Sequence, residues 1–279
     1  MKANVIQLKD YYPNVQGGGL NCIAMENPWG VAGHENWRRP AVIVVPGGAY
    51  ANVSKREGEP VAMEFLAKGF QAFILTYLCR PQGVSYPEQL IELASAVDYV
   101  KKHADEYFVN PNEIFVVGFS AGGHLTANLA VGYEGVSELA GVELDCKPTA
   151  VVLSYPVISQ KTAYKGSHEN LLHQYSEEEK EELLKTLNLD EVVSALTPPC
   201  FIWTTVQDRT VPCENSLLFA TALARKGVPF ELHVYPEGGH GKSTGSFEVN
   251  DEMPGKSARL SQWIENSIAF LRAYCEEKF

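Results

Sequence analysis

The stretch Ile114-Phe115-Val116-Val117-Gly118-Phe119-Ser120-Ala121-Gly122-Gly123-His124 decides how this chain is read. Its first four residues are continuously apolar, without polar alternation, the pattern of a short strand buried on both faces. Gly-x-Ser-x-Gly follows at once, and the Ala- and Leu-rich run up to Ala130 reads as a helix. A strand that turns this sharply into a helix forces the residue at the turn into a strained backbone conformation. A glycine on each side removes Cβ atoms that would collide there. The helix N-terminus then sets partial positive charge and free N–H groups beside the Ser120 hydroxyl.

Working outward, five further apolar runs rich in Val, Ile and Phe stand at 41–45, 70–78, 150–157, 201–206 and 230–235. Helical patterns lie between them. Leu90, Leu93, Ala94, Val97 and Val100 recur at three-to-four spacing within 87–107. Pro60 opens a helix over 61–68 that stops at Gly69, and Pro212 opens one that runs to Arg225 before Gly227. Leu260, Trp263, Ile264, Ile268 and Leu271 give a last amphipathic helix. Strands alternating with helices predict an α/β domain: a doubly wound, mostly parallel sheet with helices on both faces. The stretches 5–12 and 21–25 are expected as antiparallel edge strands. Without repeats or low-complexity linkers, 1–279 reads as one domain carrying a cap-like insertion at 159–198, after the strand that ends near Val157. Within that insertion, Ser176 and Glu179 fit a capping box, and 177–182 reads as the solvated face of a helix.

Three loops carry the remaining chemistry. Pro46-Gly47-Gly48-Ala49-Tyr50 follows the first core strand, and a Gly-rich turn there lets backbone N–H groups face inward. Asp208 follows the strand 201–206, and His240 in Gly238-Gly239-His240-Gly241 follows 230–235. All three loops lie beyond the carboxyl ends of strands, where open α/β sheets place their ligands. The chain order Ser, Asp, His is the one used on the α/β-hydrolase fold after its nucleophile elbow.

These residues resemble one group closely. The segments 46–50, 118–124, 207–212 and 233–241 are similar to those of a bacterial acetylxylan esterase-like branch of the α/β hydrolases, which is related to the hormone-sensitive-lipase-type esterases. The resemblance spans the chain from Ala41 to the C-terminal helix. It implies that Ser120 attacks an ester, His240 takes its proton and Asp208 orients the imidazole. It also implies an oxyanion hole of the Gly48, Ala49 and Ala121 amides. Pro46 stands where the lipase-type loop has His, and Ala49 where it has a third Gly. Gly47, Tyr50 and Tyr155 are expected to contact substrate, whereas Trp203 and His124 read as structural. The expected activity is a serine carboxylesterase acting on small acyl groups, acetyl foremost, of sugars or xylo-oligosaccharides. A His base must be neutral, so activity is expected to rise over about pH 6 to 8.

Composition narrows the alternatives. Twenty-three Lys and Arg against thirty-four Asp and Glu give a net charge of −11, which argues against nucleic acid or an anionic membrane as partner. A small-molecule ester is the expected partner, and the sequence neither requires nor excludes a homo-oligomer. Six Cys without a C-x-x-C pair, and His168 and His173 five residues apart, predict neither a metal site nor a cofactor. The N-terminus lacks an apolar leader core, so the chain is expected in the cytoplasm. A prolyl-oligopeptidase-type peptidase would use the same three residues, but only some forty residues precede the first core strand, too few for a propeller. A lipase fits less well, since the insertion is charged rather than broadly apolar. A non-catalytic binding protein on this fold would be expected to lack a member of the triad.

Overall fold

Parallel strands covered on both faces need a crossover element after each strand, and this chain supplies them in sequence. The computed structural model describes residues 1–26, 37–162, 165–250 and 259–276. The elements are β1 (Lys2–Gln7), β2 (Gly19–Ala24), β3 (Arg39–Val45), α1 (Glu59–Ala67), β4 (Gln71–Thr76), α2 (Glu88–Lys102), β5 (Val109–Phe119), α3 (Ala121–Gly132), α4 (Val136–Ala140) and β6 (Ala150–Ser154). Then come α5 (Gly166–Leu171), α6 (Glu177–Leu187), β7 (Cys200–Thr205), α7 (Glu214–Lys226), β8 (Phe230–Tyr235) and α8 (Gln262–Arg272). Together the strands form one eight-stranded sheet in the order β1-β2-β4-β3-β5-β6-β7-β8. The pairs β1·β2 and β2·β4 are antiparallel and the other five are parallel. This is the α/β-hydrolase fold.

Side-chain alternation builds two cores. Ile43, Val45 and Val116 join α2, α3 and α7 on one face, while Val42, Val44, Phe115 and Val117 join α1 and α8 on the other. Each such buried aliphatic side chain contributes on the order of 2 kcal/mol. The chain runs from β3 outward to β4 and then returns to the other side of β3 with β5. The β3/β5 junction is therefore a topological switch point, where connections leave in opposite directions and a crevice opens. Val45 pairs with Gly118 across it, so the Gly47–Ala49 turn and Ser120 emerge side by side.

Several element bounds differ from expectation. β1 ends at Gln7 because a 3-10 turn follows at Leu8–Asp10, so the edge strand begins and ends earlier than 5–12. β6 stops at Ser154 because Tyr155 takes φ 37°, outside strand geometry. β8 is the outermost strand, and its residues are half-buried or exposed rather than covered on both faces. The capping box at Ser176 forms as read: Glu179 N–H donates to Ser176 Oγ at 3.3 Å, and Ser176 N–H donates to Glu179 Oε2 at 2.8 Å. Within 159–198, residues 163–164 lie outside the described ones. The described part is anchored rather than loosely draped. Leu171, Leu172, Leu187, Leu189 and Val193 are all buried in the larger core.

Candidate active site

Ser120 stands between β5 and α3 with φ 52° and ψ −116°, a conformation that side-chain-bearing residues avoid. A Cβ on Gly118 would strike Thr126 Oγ1 and the Gly122 carbonyl; one on Gly122 would strike the carbonyls of Val45 and Pro46. Neither glycine has a positive φ. Their role is close approach, which lets α3 start against the end of β3. Ser120 N–H donates to the Ser154 carbonyl at 3.0 Å, and Val157 N–H donates to the Ser120 carbonyl at 3.1 Å, pinning the turn from β6.

The structure brings the three distant polar residues together. Ser120 Oγ lies 2.8 Å from His240 Nε2, and His240 Nδ1 lies 2.6 Å from Asp208 Oδ2. A carboxylate only accepts, so Nδ1 carries the proton, Nε2 is the acceptor and the Ser120 hydroxyl donates. The other carboxylate oxygen, Asp208 Oδ1, accepts the N–H groups of Thr210 and Val211, each at 2.9 Å. That turn fixes the Asp208 rotamer before the imidazole arrives. Ser120 is nearly buried, and the side chain of His240 is 19% exposed against 1% for Asp208. The imidazole is thus the most exposed of the three.

The loop after β3 wraps the same spot. Gly48 has φ 125°, and a Cβ there would strike the Asn52 carbonyl, so only glycine fits. Ala49 and Tyr50 follow with φ 55° and 56°. The Gly48 carbonyl accepts from the N–H groups of Ala51 and Asn52 at 2.9 and 3.2 Å. The amides of Gly48 and Ala49, and that of Ala121 in the first turn of α3, make no hydrogen bond among the described residues. These are the three amides expected from the sequence to face a developing oxyanion.

The three residues expected to contact substrate have hydrogen-bond partners within the protein. Tyr50 is 1% exposed, and its hydroxyl donates to His124 Nδ1 at 2.8 Å. Tyr155 is equally closed off, and its hydroxyl lies 2.6 Å from Glu57 Oε1. The Gly47 amide donates to Glu57 Oε2 at 2.8 Å, so it too is taken. Their polar groups are consumed inside the protein, and both tyrosines are almost fully buried. Burial also holds the Tyr50 and Tyr155 hydroxyls well above the usual phenol range, so both remain neutral donors.

His124 and His168 prove to be one unit. Both present Nε2 to the Leu187 carbonyl, at 3.1 and 3.2 Å, and their rings meet edge-to-face at 4.7 Å. The carbonyl makes Nε2–H the donor in each, which leaves His124 Nδ1 free to accept from Tyr50. Burial depresses both, His124 to about 3 and His168 to about 4; for His124 the nearby His168 adds to the effect. Asn170 Nδ2 donates to the Ala49 carbonyl at 2.9 Å. The insertion therefore holds the loop after β3 from its outer side. Glu57, its support on the inner side, escapes a sequence reading because Lys55-Arg56-Glu57-Gly58-Glu59 looks like a solvated charged run. His168 escapes it too, since nothing in spacing couples it to a carbonyl nineteen residues away.

Residues 32–223 match the BD-FAE family. The chain is 36% identical over 241 residues to endo-1,4-beta-xylanase B of Butyrivibrio fibrisolvens, covering 85% of this chain and 38% of that protein. It is 29% identical over 250 residues to an acetylxylan esterase of Xylanibacter ruminicola, covering 88% and 47%. The chain thus spans less than half the length of these two curated relatives. Among solved structures, the acetyl ester-xyloside bifunctional hydrolase of Caldicellulosiruptor lactoaceticus is similar at a TM-score of 0.77 and 32% identity, over 96% of this chain and 97% of that one. Its match across 32–223 makes this chain a member of the BD-FAE family, built on the α/β-hydrolase fold.

Proposed function

We propose that this protein is a serine ester hydrolase that removes small acyl groups, acetyl foremost, from sugars or xylo-oligosaccharides. The observation that carries the reading is the continuous hydrogen-bonded line Ser120–His240–Asp208, at 2.8 and 2.6 Å, ending at the β3/β5 crevice. In this reading Ser120 Oγ attacks the ester carbonyl while His240 Nε2 takes its proton. The oxyanion forms against the amides of Gly48, Ala49 and Ala121, each contributing about 3 kcal/mol to the transition state. His240 then returns the proton to the departing sugar hydroxyl, and water enters by the same route to release the acid. The acyl and sugar preference rests on the relatives, one an acetylxylan esterase and one an acetyl ester-xyloside hydrolase.

Hydrolysis of p-nitrophenyl esters from acetate to octanoate tests this directly. The expected result is fastest turnover of acetate, with kcat falling at least about a thousandfold in Ser120→Ala. Acetate release from acetylated xylo-oligosaccharides should follow the same dependence. If no ester of any length is turned over, the esterase reading fails. Cleavage of prolyl peptides instead would assign the same three residues to a peptidase.

A further inference from the structure

We propose that Glu57 is a positioning residue that locks the oxyanion loop and the histidine loop to one another, so that donors and base are aligned by a single buried carboxylate. This rests on the esterase reading above. Glu57 ends the 3-10 turn Lys55–Glu57 just ahead of α1, and it is 4% exposed while Lys55 and Arg56 are exposed. No Lys, Arg or His pairs with its carboxylate among the described residues. A buried carboxylate without a cation is held by its hydrogen bonds, and where those go shows what it does.

One oxygen, Oε2, accepts the Gly47 N–H at 2.8 Å. Gly47 immediately precedes Gly48, so anchoring its amide sets the direction of the next peptide plane and of the Gly48 N–H. Gly47 also lies against the nucleophile: a Cβ there would come within 2.9 Å of both Glu57 Oε2 and Ser120 Cβ. The other oxygen, Oε1, accepts the Tyr155 hydroxyl at 2.6 Å. With its proton given to Glu57, that hydroxyl can only accept, and it takes the Ser243 N–H at 3.0 Å. Ser243 is three residues beyond His240 and sits at φ 52°. Its hydroxyl donates to the Arg56 carbonyl, next door to Glu57, and its own carbonyl accepts from Trp263 Nε1 at 2.9 Å. The Tyr155 ring meets the His240 imidazole edge-to-face at 5.0 Å.

The path Gly48–Gly47–Glu57–Tyr155–Ser243–His240 therefore joins the loop after β3, inside the sheet, to the loop after β8 at its edge, four strands away. A carboxylate suits the post because it accepts on both oxygens. A carboxamide of the same shape accepts on one and points N–H at a donor on the other. The charge-assisted bonds also hold the two loops more firmly than neutral ones would.

The test compares Glu57→Gln and Tyr155→Phe with wild type, reading p-nitrophenyl acetate kinetics together with hydrogen exchange of peptides covering 46–50 and 240–245. The expected kinetic result is a fall in kcat of about 10- to 100-fold with KM within about threefold, as misaligned donors and base produce. The double variant should lose little more than either single one, because both break the same path. Exchange in both peptides should speed up in Glu57→Gln, whether or not the protein turns over an ester. Kinetic losses that multiply, a kcat within threefold of wild type, or faster exchange confined to 46–50 would each overturn the coupling. Should Glu57→Gln fail to fold, Tyr155→Phe decides the matter alone, since it leaves Gly47 bonded to Glu57 Oε2 and removes only the link from Oε1 to Ser243. Wild-type enzyme silent on every ester, with both loops loosened together in the variant, would sink the esterase reading and leave the coupling standing.

Discussion

Two buried sites, a histidine pair under the insertion and Glu92 under the antiparallel edge, respond to pH in opposite directions. Beneath the insertion, His124 and His168 share the Leu187 carbonyl and are held neutral by burial, at about 3 and about 4. Beneath the antiparallel edge, Glu92 is fully buried beside Glu88, and burial followed by the neighbouring charge drives it up to about 8. Glu92 Oε2 accepts the Leu78 N–H at 2.8 Å, and Glu88 Oε1 accepts the Gln16 N–H at 2.7 Å. The first pair fastens the insertion to Tyr50; the second fastens the edge-strand connections to α2. The two imidazoles and the Glu92 carboxyl are uncharged or nearly so near neutrality. The difference is that a buried base is endangered by acid and a buried acid by alkali.

The largest effect should come from acid. On unfolding, each imidazole regains an ordinary affinity and binds a proton below about 6.5, which it does not do in the folded chain. Stability from the pair is therefore complete above 6.5 and is lost on going down towards 4, by up to about 1.4 kcal/mol per pH unit for each ring. Glu92 runs against them between its ordinary 4.5 and its folded value of about 8, so about one proton net is taken up on unfolding in the overlap. Thermal melts at pH 7, 6 and 5 should show His168→Gln losing its acid dependence relative to wild type. Parallel curves would break the comparison.

Alkali should act next. Glu92 binds its proton only while folded, so its contribution is complete below 4.5 and drains away as pH rises through about 8. Between pH 6.5 and 8, Glu92→Gln should gain on wild type by about 2 kcal/mol. Denaturant midpoints at the two pH values measure this, and an unchanged difference would show that Glu92 is ionised throughout. The smallest effect sharpens the contrast between the insertion's anchor and its surface. Ser176→Ala removes the cap of α6, whose only buried residue is Leu187. A loss of about 0.5 kcal/mol is expected with ester turnover unchanged; a drop in kcat would mean that α6 governs the loop after β3.

Much of this architecture was legible because it rests on local rules. The runs around Val42, Val116 and Ile202 mark strands by composition, and Gly69 and Gly227 mark helix ends by taking φ 93° and 69°. Ser120, Asp208 and His240 could be read because each follows a strand in a fixed order. What stayed hidden depends on partners distant in sequence. Glu57 reaches Tyr155 across ninety-eight residues, and His124 reaches the Leu187 carbonyl across sixty-three. Tyr50 and Tyr155 look like pocket aromatics in sequence because they adjoin the right loops. Only the hydroxyl partners reveal that their polar ends are spent on His124 and Glu57.

The order of strands also bears on how the protein comes into being. From β5 to β8 the sheet follows the chain, each new strand docking beside the one before. A polypeptide emerging from the ribosome can therefore lay down this half as an edge that grows in one direction. The serine turn arrives first, the aspartate loop follows after β7, and the imidazole comes only after β8. A lone serine hydroxyl is a feeble nucleophile. On the proposed mechanism the growing chain is thus chemically silent until its last strand is in place, and onset of ester turnover should report completion of the sheet.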